Sequence, residues 1–258
     1  MNLPPPRPYV LAETNWKTVQ DTDYTVAVLP WGATEAHNYH LPYATDNLQV
    51  EHVAIEAARQ AWAVGAKTAV LPCIPFGVNT GQMNIKLCVN MSPSTQFGVL
   101  QDVATVVEEA GIEKLVIVNG HGGNHFKQML RELSMTHPAL FACSVNWFEA
   151  ADAFAYFEEP GNHAGDLETS CIMHIAPQWV RPLAEAGDGA AKSFKIEALK
   201  QGWASAQRAW TQVTADTGVG NPAAATPEKG QKFLDATSKN FGKFLVELAS
   251  ADLDDMYE

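Results

Sequence analysis

An α/β fold with a mainly parallel sheet and helices on both faces is what this sequence predicts. Three observations lead there: β-branched apolar runs alternate with helical periodicity in a β, α, β, α, β, α, β rhythm, histidine and acid clusters fall directly after the apolar runs, and no repeat of solenoid period interrupts them. The 258 residues, 47% hydrophobic and 18% charged, are ordinary for one globular α/β domain, so the whole chain 1–258 is read as a single unit.

Residues 1–23 are Pro-rich and polar, an arm expected to lie on the surface or on a neighbouring subunit. Tyr24–Ala33 reads as a buried strand. Asp46 stands where a helix N-cap would be, Ile55, Ala58 and Trp62 share one helical face, and Gly65 stops the helix. A second strand is expected over Ala66–Val78. A helix from about Ser94 carries Phe97, Leu100, Ala104 and Val107 on one face and ends at Gly111. The run KLVIVNGHGG is a buried strand entering a glycine loop, followed by a helix over 124–136 that turns Phe126, Met129, Leu130 and Leu133 inward. Leu140–Trp147 is the fourth strand. Residues 184–225 hold one short helix and a long loop, and Thr226-Pro227-Glu228 opens a last helix running to about Ser250.

Charge and cysteine usage narrow the function classes. A net charge of −12 repels phosphate backbones, which disfavours nucleic acid. The N-terminus lacks an apolar signal region and no stretch approaches membrane-spanning length, so a protein free of the membrane is expected. Cys73, Cys88, Cys143 and Cys171 form no CxxC pair, which points to a reducing, cytoplasmic compartment.

Three constellations carry chemistry. Glu35-x-His37 follows the first strand, and residues i and i+2 of an extended segment share a side. With Asp46 at the start of the next helix, they bring oxygen and nitrogen donors that suit Zn, Mn or Fe(II). Asn119-Gly120-His121-Gly122-Gly123-Asn124 puts His121 at the same C-terminal sheet edge, where open α/β sheets collect ligands, with glycine amides able to meet an anion. His163-Ala164-Gly165-Asp166-Leu167-Glu168 pairs an imidazole with an acid in the first turns of a helix, as acid–base chemistry needs. Singly, each has an ordinary explanation, Asp46 as a cap and GHGGN as a phosphate loop. Their joint placement at strand ends does not. His52, His125, His137 and His174 are read as structural or surface groups, and His40 as a hydrogen-bonding support.

The segments LPWGATEAHNYHLPYATDN, VNGHGGNH, HAGDLETS and DTGVGNPAAATPEKG resemble, in order, the motifs of the creatininase (creatinine amidohydrolase) family, across residues 29–230. The resemblance implies a three-layer α/β/α sandwich, a homo-oligomer such as a hexamer, a small-molecule amide substrate and two divalent metal ions, Zn first and Mn or Fe as alternatives. It implies that Glu35, Asp46 and His121 hold one ion and that His37 and Asp46 hold the other, Asp46 bridging. Creatininases proper take a last ligand from a Glu two residues after the His121 position. Gly123 stands there, so Glu168 is the candidate in this GHGGN-type chain, and His163 matches the family's acid–base histidine. Trp147 matches a pocket aromatic, Gly122 and Gly123 offer amide donors, and Glu159 replaces a lid Trp. The stretch NTGQMNIKLCVNMSP also departs from the family's usual segment.

The activity expected is cleavage of a C–N bond in a small or cyclic amide by two-metal-activated water. Formamide hydrolases of flavin or deazaflavin pathways and a peptidase trimming a redox-cofactor precursor are the alternatives inside the family. Outside it stand a Rossmann-like anion or nucleotide binder, which lacks GxGxxG after the first strand, and a structural subunit that has lost activity.

Overall fold

The computed structural model describes residues 5–258; the first four positions of the Pro-rich arm lie outside the described residues. A short helix α1 (Trp16–Gln20) leads into β1 (Val26–Trp31), α2 (Thr45–Ala63), β2 (Thr68–Val70), α3 (Pro93–Glu109), β3 (Lys114–Asn119), α4 (Lys127–Thr136) and β4 (Phe141–Asn146). Helix α5 (Asp166–Ile175), the single turns α6 (Glu197–Lys200) and α7 (Trp210–Val213), and the long α8 (Pro227–Ser250) follow. The sheet runs β2-β1-β3-β4 with every pair parallel.

Strands β1 and β3 are buried along their whole length, which is why both are unbroken apolar runs rather than alternating ones. Their side chains part by the two-residue period. Val26, Val28, Val116 and Val118 join α2 and Phe233, Phe241 and Leu245 of α8 in one core. Ala27, Leu29, Trp31, Leu115 and Ile117 join Leu100 and Ala104 of α3 and Met129 and Leu133 of α4 in the other. Helices therefore cover both faces, and the fold is the expected α/β/α sandwich.

Several elements differ from the sequence reading. The buried face of α2 centres on Val50, Val53, Ala54, Ala57 and Ala61 beside Ala58, while Ile55 and Trp62 lie at its margin. Small residues let α8 come close: a Cβ on Gly242 of α8 would stand 3.2 Å from the Ala57 carbonyl. Strand β2 is three residues long rather than spanning Ala66–Val78, because Pro72 and Pro75 have no N–H to give a ladder. The arm is not merely laid on the surface: Val10 forms a parallel bridge to Val70, the Val70 N–H donates to the Tyr9 carbonyl at 2.8 Å, and Tyr9 and Val10 are buried. It covers the edge that short β2 would leave open.

Residues 184–225 contain two single helical turns where one short helix is expected. Their loop is tied by buried Asp216, whose carboxylate accepts from Gly189 N at 2.9 Å, Gly218 N at 2.9 Å and the Thr214 hydroxyl at 2.9 Å. Helix α8 opens as its sequence predicts, with the Thr226 hydroxyl accepting from Lys229 N at 3.3 Å and Pro227 in the first turn.

Phe233 is fully buried against Trp147, Tyr156 and Phe157. Phe233→Ala is expected to lower unfolding free energy by ~3–5 kcal/mol, measured by urea denaturation with an unchanged m value.

Candidate metal centre

The parallel sheet places the C-terminal ends of β1 and β3 side by side, and the first turn of α2 sits directly on them. Two glycines make that seat. A Cβ on Gly32 would lie 2.2 Å from Asn47 Oδ1, and one on Gly120 would lie 2.8 Å from Val50 Cβ and 3.0 Å from the Asp46 carbonyl. Asp46 is thus not the N-cap expected of it. Ala44 holds that place without a side-chain cap bond, and Asp46 is the second helical residue, buried at the positive end of the helix dipole.

From this seat Asp46 reaches two histidines. His37 Nε2 is 2.9 Å from Asp46 Oδ1 and 3.8 Å from Glu168 Oε2. His121 Nδ1 is 3.1 Å from Asp46 Oδ2 and 2.8 Å from Glu35 Oε1. His163 Nδ1 lies 3.9 Å from the same Glu35 oxygen, and its ring stacks on His37 at 4.1 Å between centroids. Glu35, His37, Asp46, His121 and His163 are all buried, and Glu168 is half-buried.

The far nitrogen of each imidazole is spoken for. His37 Nδ1 is 3.2 Å from the Glu35 carbonyl, His121 Nε2 is 3.1 Å from the Val78 carbonyl, and His163 Nε2 is 2.8 Å from the Ala36 carbonyl. A carbonyl oxygen only accepts, so these three nitrogens carry the hydrogens. The inner nitrogen of a neutral ring then turns a lone pair towards carboxylate oxygens, which also only accept. Glu35 Oε1 and Asp46 Oδ2 accordingly have no hydrogen-bond partner although each lies within 3.1 Å of His121 Nδ1. Either a proton or a cation must stand between them. Burial alone would push the His37 imidazole down, but Asp46, Glu168 and Glu35 outweigh it and raise it to about 10. His121 is raised in the same way, burial being overcome by Glu35 and Asp46. Burial likewise pushes Asp46 up, and the two imidazoles pull it below the ordinary carboxylate range. Glu168 goes up with burial, partly offset by His37 and His163.

Three donor sets form within this cluster: Glu35, Asp46 and His121; His37, Asp46 and Glu168; and Glu35, His37 and His163. Imidazoles anchored through their other nitrogen to a backbone carbonyl, beside unpartnered buried carboxylate oxygens, fit divalent cations well. Two of the three sets share Asp46, as an adjacent pair of ions would require.

The neighbouring elements hold these groups in place. Glu168 is the third residue of α5 and accepts from the Ala164 N–H at 2.5 Å, Ala164 adopting a left-handed φ of +50° between His163 and the helix. The His163 backbone exchanges hydrogen bonds with Val219 at 3.0 and 2.7 Å, so the TGVG segment is a clamp on the His163 loop. His40 is not in the cluster. Its Nε2 meets the Thr169 hydroxyl at 2.9 Å, one residue along from Glu168.

Above the cluster opens a cavity of about 680 Å³ lined by Glu35, Asp46, His121, His163 and Glu168 among others. Gly122, Gly123 and Trp147 also line it, and the buried Trp147 indole N–H has no acceptor. Glu159, expected at the substrate, is exposed and is not part of the wall. The chain turns at Pro160 and Gly161 (φ +79°), and these two residues, next after Glu159, border the cavity. His125, read as a structural or surface group, is exposed but borders the cavity. Sequence reasoning missed Gln82, buried, whose amide donates to Glu35 Oε2, and Trp210, edge-on to His163 at 5.4 Å. Gln82 lies in the stretch marked as departing from the family pattern, which was its only signal.

The fold and site define an α/β/α protein with a buried metal-type donor cluster at the carboxyl end of a parallel sheet. A family profile, Creatininase (creatinine amidohydrolase), matches residues 12–245, and the chain belongs to this family. A mycofactocin precursor peptide peptidase of Mycobacterium tuberculosis (strain CDC 1551 / Oshkosh) is 26% identical over 219 residues, covering 81% of this chain and 80% of that protein. The crystal structure of a candidate creatinine amidohydrolase from Bacteroides fragilis NCTC 9343 matches with a TM-score of 0.90 and 41% identity over 96% of this chain and 98% of that one. A Mn creatininase matches with a TM-score of 0.78 at 19% identity, over 94% of this chain and 99% of that one, a likeness of fold.

A Cβ on Gly123 would meet the Val78 carbonyl at 2.3 Å and His121 Nε2 at 2.4 Å, whereas one on Gly122 meets nothing within 4 Å. Gly123→Ala is expected to break the His121–Val78 bond and cost about 1–3 kcal/mol in denaturant titration, with Gly122→Ala within about 0.5 kcal/mol of wild type.

Proposed function

We propose that the chain is a metal-dependent amidohydrolase holding two divalent ions, Zn first and Mn or Fe as alternatives, and cleaving a C–N bond other than a peptide bond in a small or cyclic amide. The observation that carries this reading is the inward His121 Nδ1 facing the unpartnered Glu35 Oε1 and Asp46 Oδ2, with His37 Nε2 on the other Asp46 oxygen. Glu35, Asp46 and His121 are assigned to one ion, and His37, Asp46 and Glu168 to the other. Bound there, such ions would lower the pKa of a water towards neutrality and polarise an amide carbonyl.

The chain's own residues supply the rest. His163 donates through Nε2 to Ala36, which leaves Nδ1 as its basic atom on the cluster side. Nδ1 takes up the proton released in the attack and delivers it to the departing nitrogen. The Gly122 and Gly123 amides line the cavity as donors for developing negative charge on the carbonyl oxygen, beside the Trp147 ring.

A peptide bond is the second reading. The relative that is a mycofactocin precursor peptide peptidase favours it, as does a cavity with more room than a creatinine-sized ring fills. We also place the protein in the cytoplasm, supported by four unpaired cysteines, two of them (Cys73 and Cys143) with thiols that burial pushes up to about 12. Among the described residues no helix is long and apolar enough to cross a membrane. We further read it as a homo-oligomer, for which exposed Trp16 and Trp203 supply apolar surface.

Elemental analysis tests the centre: about two transition-metal ions per chain in wild type and a sharp fall in Asp46→Ala. No bound metal after refolding with Zn or Mn would overturn the reading. His163→Ala is expected to keep its metal and lose about 10²–10⁴-fold in turnover on whichever amide is cleaved. Loss of metal in step with activity would make His163 a ligand instead.

A further inference from the structure

The cavity wall contains one permanent cation. Apart from histidines, every charged residue lining it is an acid of the cluster, with the single exception of Arg208. Arg208 is also unlike the chain's other arginines. Of the five, Arg7, Arg59 and Arg181 are paired with Glu13, Glu56 and Glu185, and Arg131 donates to Gln128. The Arg208 guanidinium has no acid partner among the described residues and lies over the Trp210 ring, 4.7 Å from its centroid. A stacked guanidinium keeps its in-plane N–H donors free.

The stack is held from below. Trp210 is buried, its indole N–H donates to the Thr217 carbonyl at 3.0 Å, and its ring stands edge-on to His163. The segment carrying Arg208 also rests on the turn that presents Gln82 to Glu35. A Cβ on Gly81 would be 2.3 Å from the Arg208 carbonyl, and Asn84 Nδ2 donates to the Thr211 hydroxyl at 3.0 Å. Two segments far apart in sequence thus roof the cavity together, and the cation on the roof is two contacts away from the proposed proton carrier.

We propose that Arg208 is the specificity-determining residue of this site and that the substrate carries a carboxylate, bound by Arg208 while its amide carbonyl lies at the cluster. This rests on the amidohydrolase reading for the placement of the amide. One planar guanidinium matches a carboxylate two-prong to two-prong. A phosphate dianion would call for more cationic donors, and no other Lys or Arg lines the cavity. In a chain of net charge −12, with three acids already in the wall, an unpaired arginine there selects for an anion and sets its orientation.

The test compares N-formyl and N-acetyl amino acids with their primary carboxamides on the metal-loaded protein. Binding is measured by calorimetry and turnover by release of formate or acetate. Wild type is expected to favour the carboxylates by about 10–100-fold. In Arg208→Gln that ratio should fall to near one, and in Arg208→Lys to an intermediate value, with metal content unchanged in both. Absence of a carboxylate preference in binding, or a preference that survives Arg208→Gln, overturns the proposal. Arg208-dependent binding of carboxylates without release of any acyl acid would keep the anion site and reject the amidohydrolase reading. Cleavage without preference would do the reverse.

Discussion

Asp46 can reach His37 and His121 at once only because the first turn of α2 rests directly on the ends of β1 and β3. That seat depends on two glycines, Gly32 and Gly120, where any side chain would strike Asn47, Val50 or the Asp46 backbone. It also depends on the core below. Strands β1 and β3 are pinned by burial on both faces, and α2 is drawn close to the sheet and to α8 by its alanine face. Several buried ionisable groups in one place cost several kcal/mol each when left uncompensated. The pull of each carboxylate on its imidazole, and of each imidazole on its carboxylate, is the metal-free chain's answer to that cost, and a divalent cation answers it without protons.

The parts of this arrangement that could be read from sequence are those with short-range signals. Apolar runs without alternation marked β1 and β3, Thr226-Pro227 marked the start of α8, and histidines beside acids directly after strands marked the cluster. What escaped was set by packing between distant segments. The α2 face was misplaced towards Ile55 and Trp62 because bulk, not closeness of approach, dominates a hydrophobic pattern, and alanines hardly register in it. Asp46 was legible as a donor only jointly with Glu35 and His37, since its own position before an apolar-periodic run reads equally well as a cap. Gln82, Trp210 and Arg208 were out of reach. They belong to loops without periodicity that meet across more than a hundred residues of chain.

The DTGVG segment shows the same limit from the other side. Its motif resemblance is strong, yet none of its side chains enters the donor sets. Asp216 spends its carboxylate on Gly189, Gly218 and Thr214, and Val219 pairs with the His163 backbone. The motif is a brace: it fixes the loop from which His163 Nε2 reaches the Ala36 carbonyl, and so decides which ring nitrogen is left basic.

An acid at the position of Gly123, which the resemblance implies for creatininases proper, and an acid at Glu168 would be held by different parts of the fold. A glutamate two residues after His121 would sit in the loop after β3. Glu168 instead rides on α5, whose first turns are fixed by Gln49 donating to the Glu168 carbonyl at 3.2 Å, by His40 on Thr169 and by the Lys229–Asp166 pair to α8. Gly123 then becomes free to be small, and the structure uses that freedom, since the space a side chain would need is taken by the Val78 carbonyl bonded to His121 Nε2. The exchange couples the two halves of the cluster to different layers. His121 and Glu35 are set by the sheet and its loops, whereas Glu168 and His163 are set by α5 and the brace. A shift of α5 against α2 would therefore alter one donor set and the His163 imidazole together while leaving the other set where the sheet holds it, with Asp46 as the only carboxylate common to both.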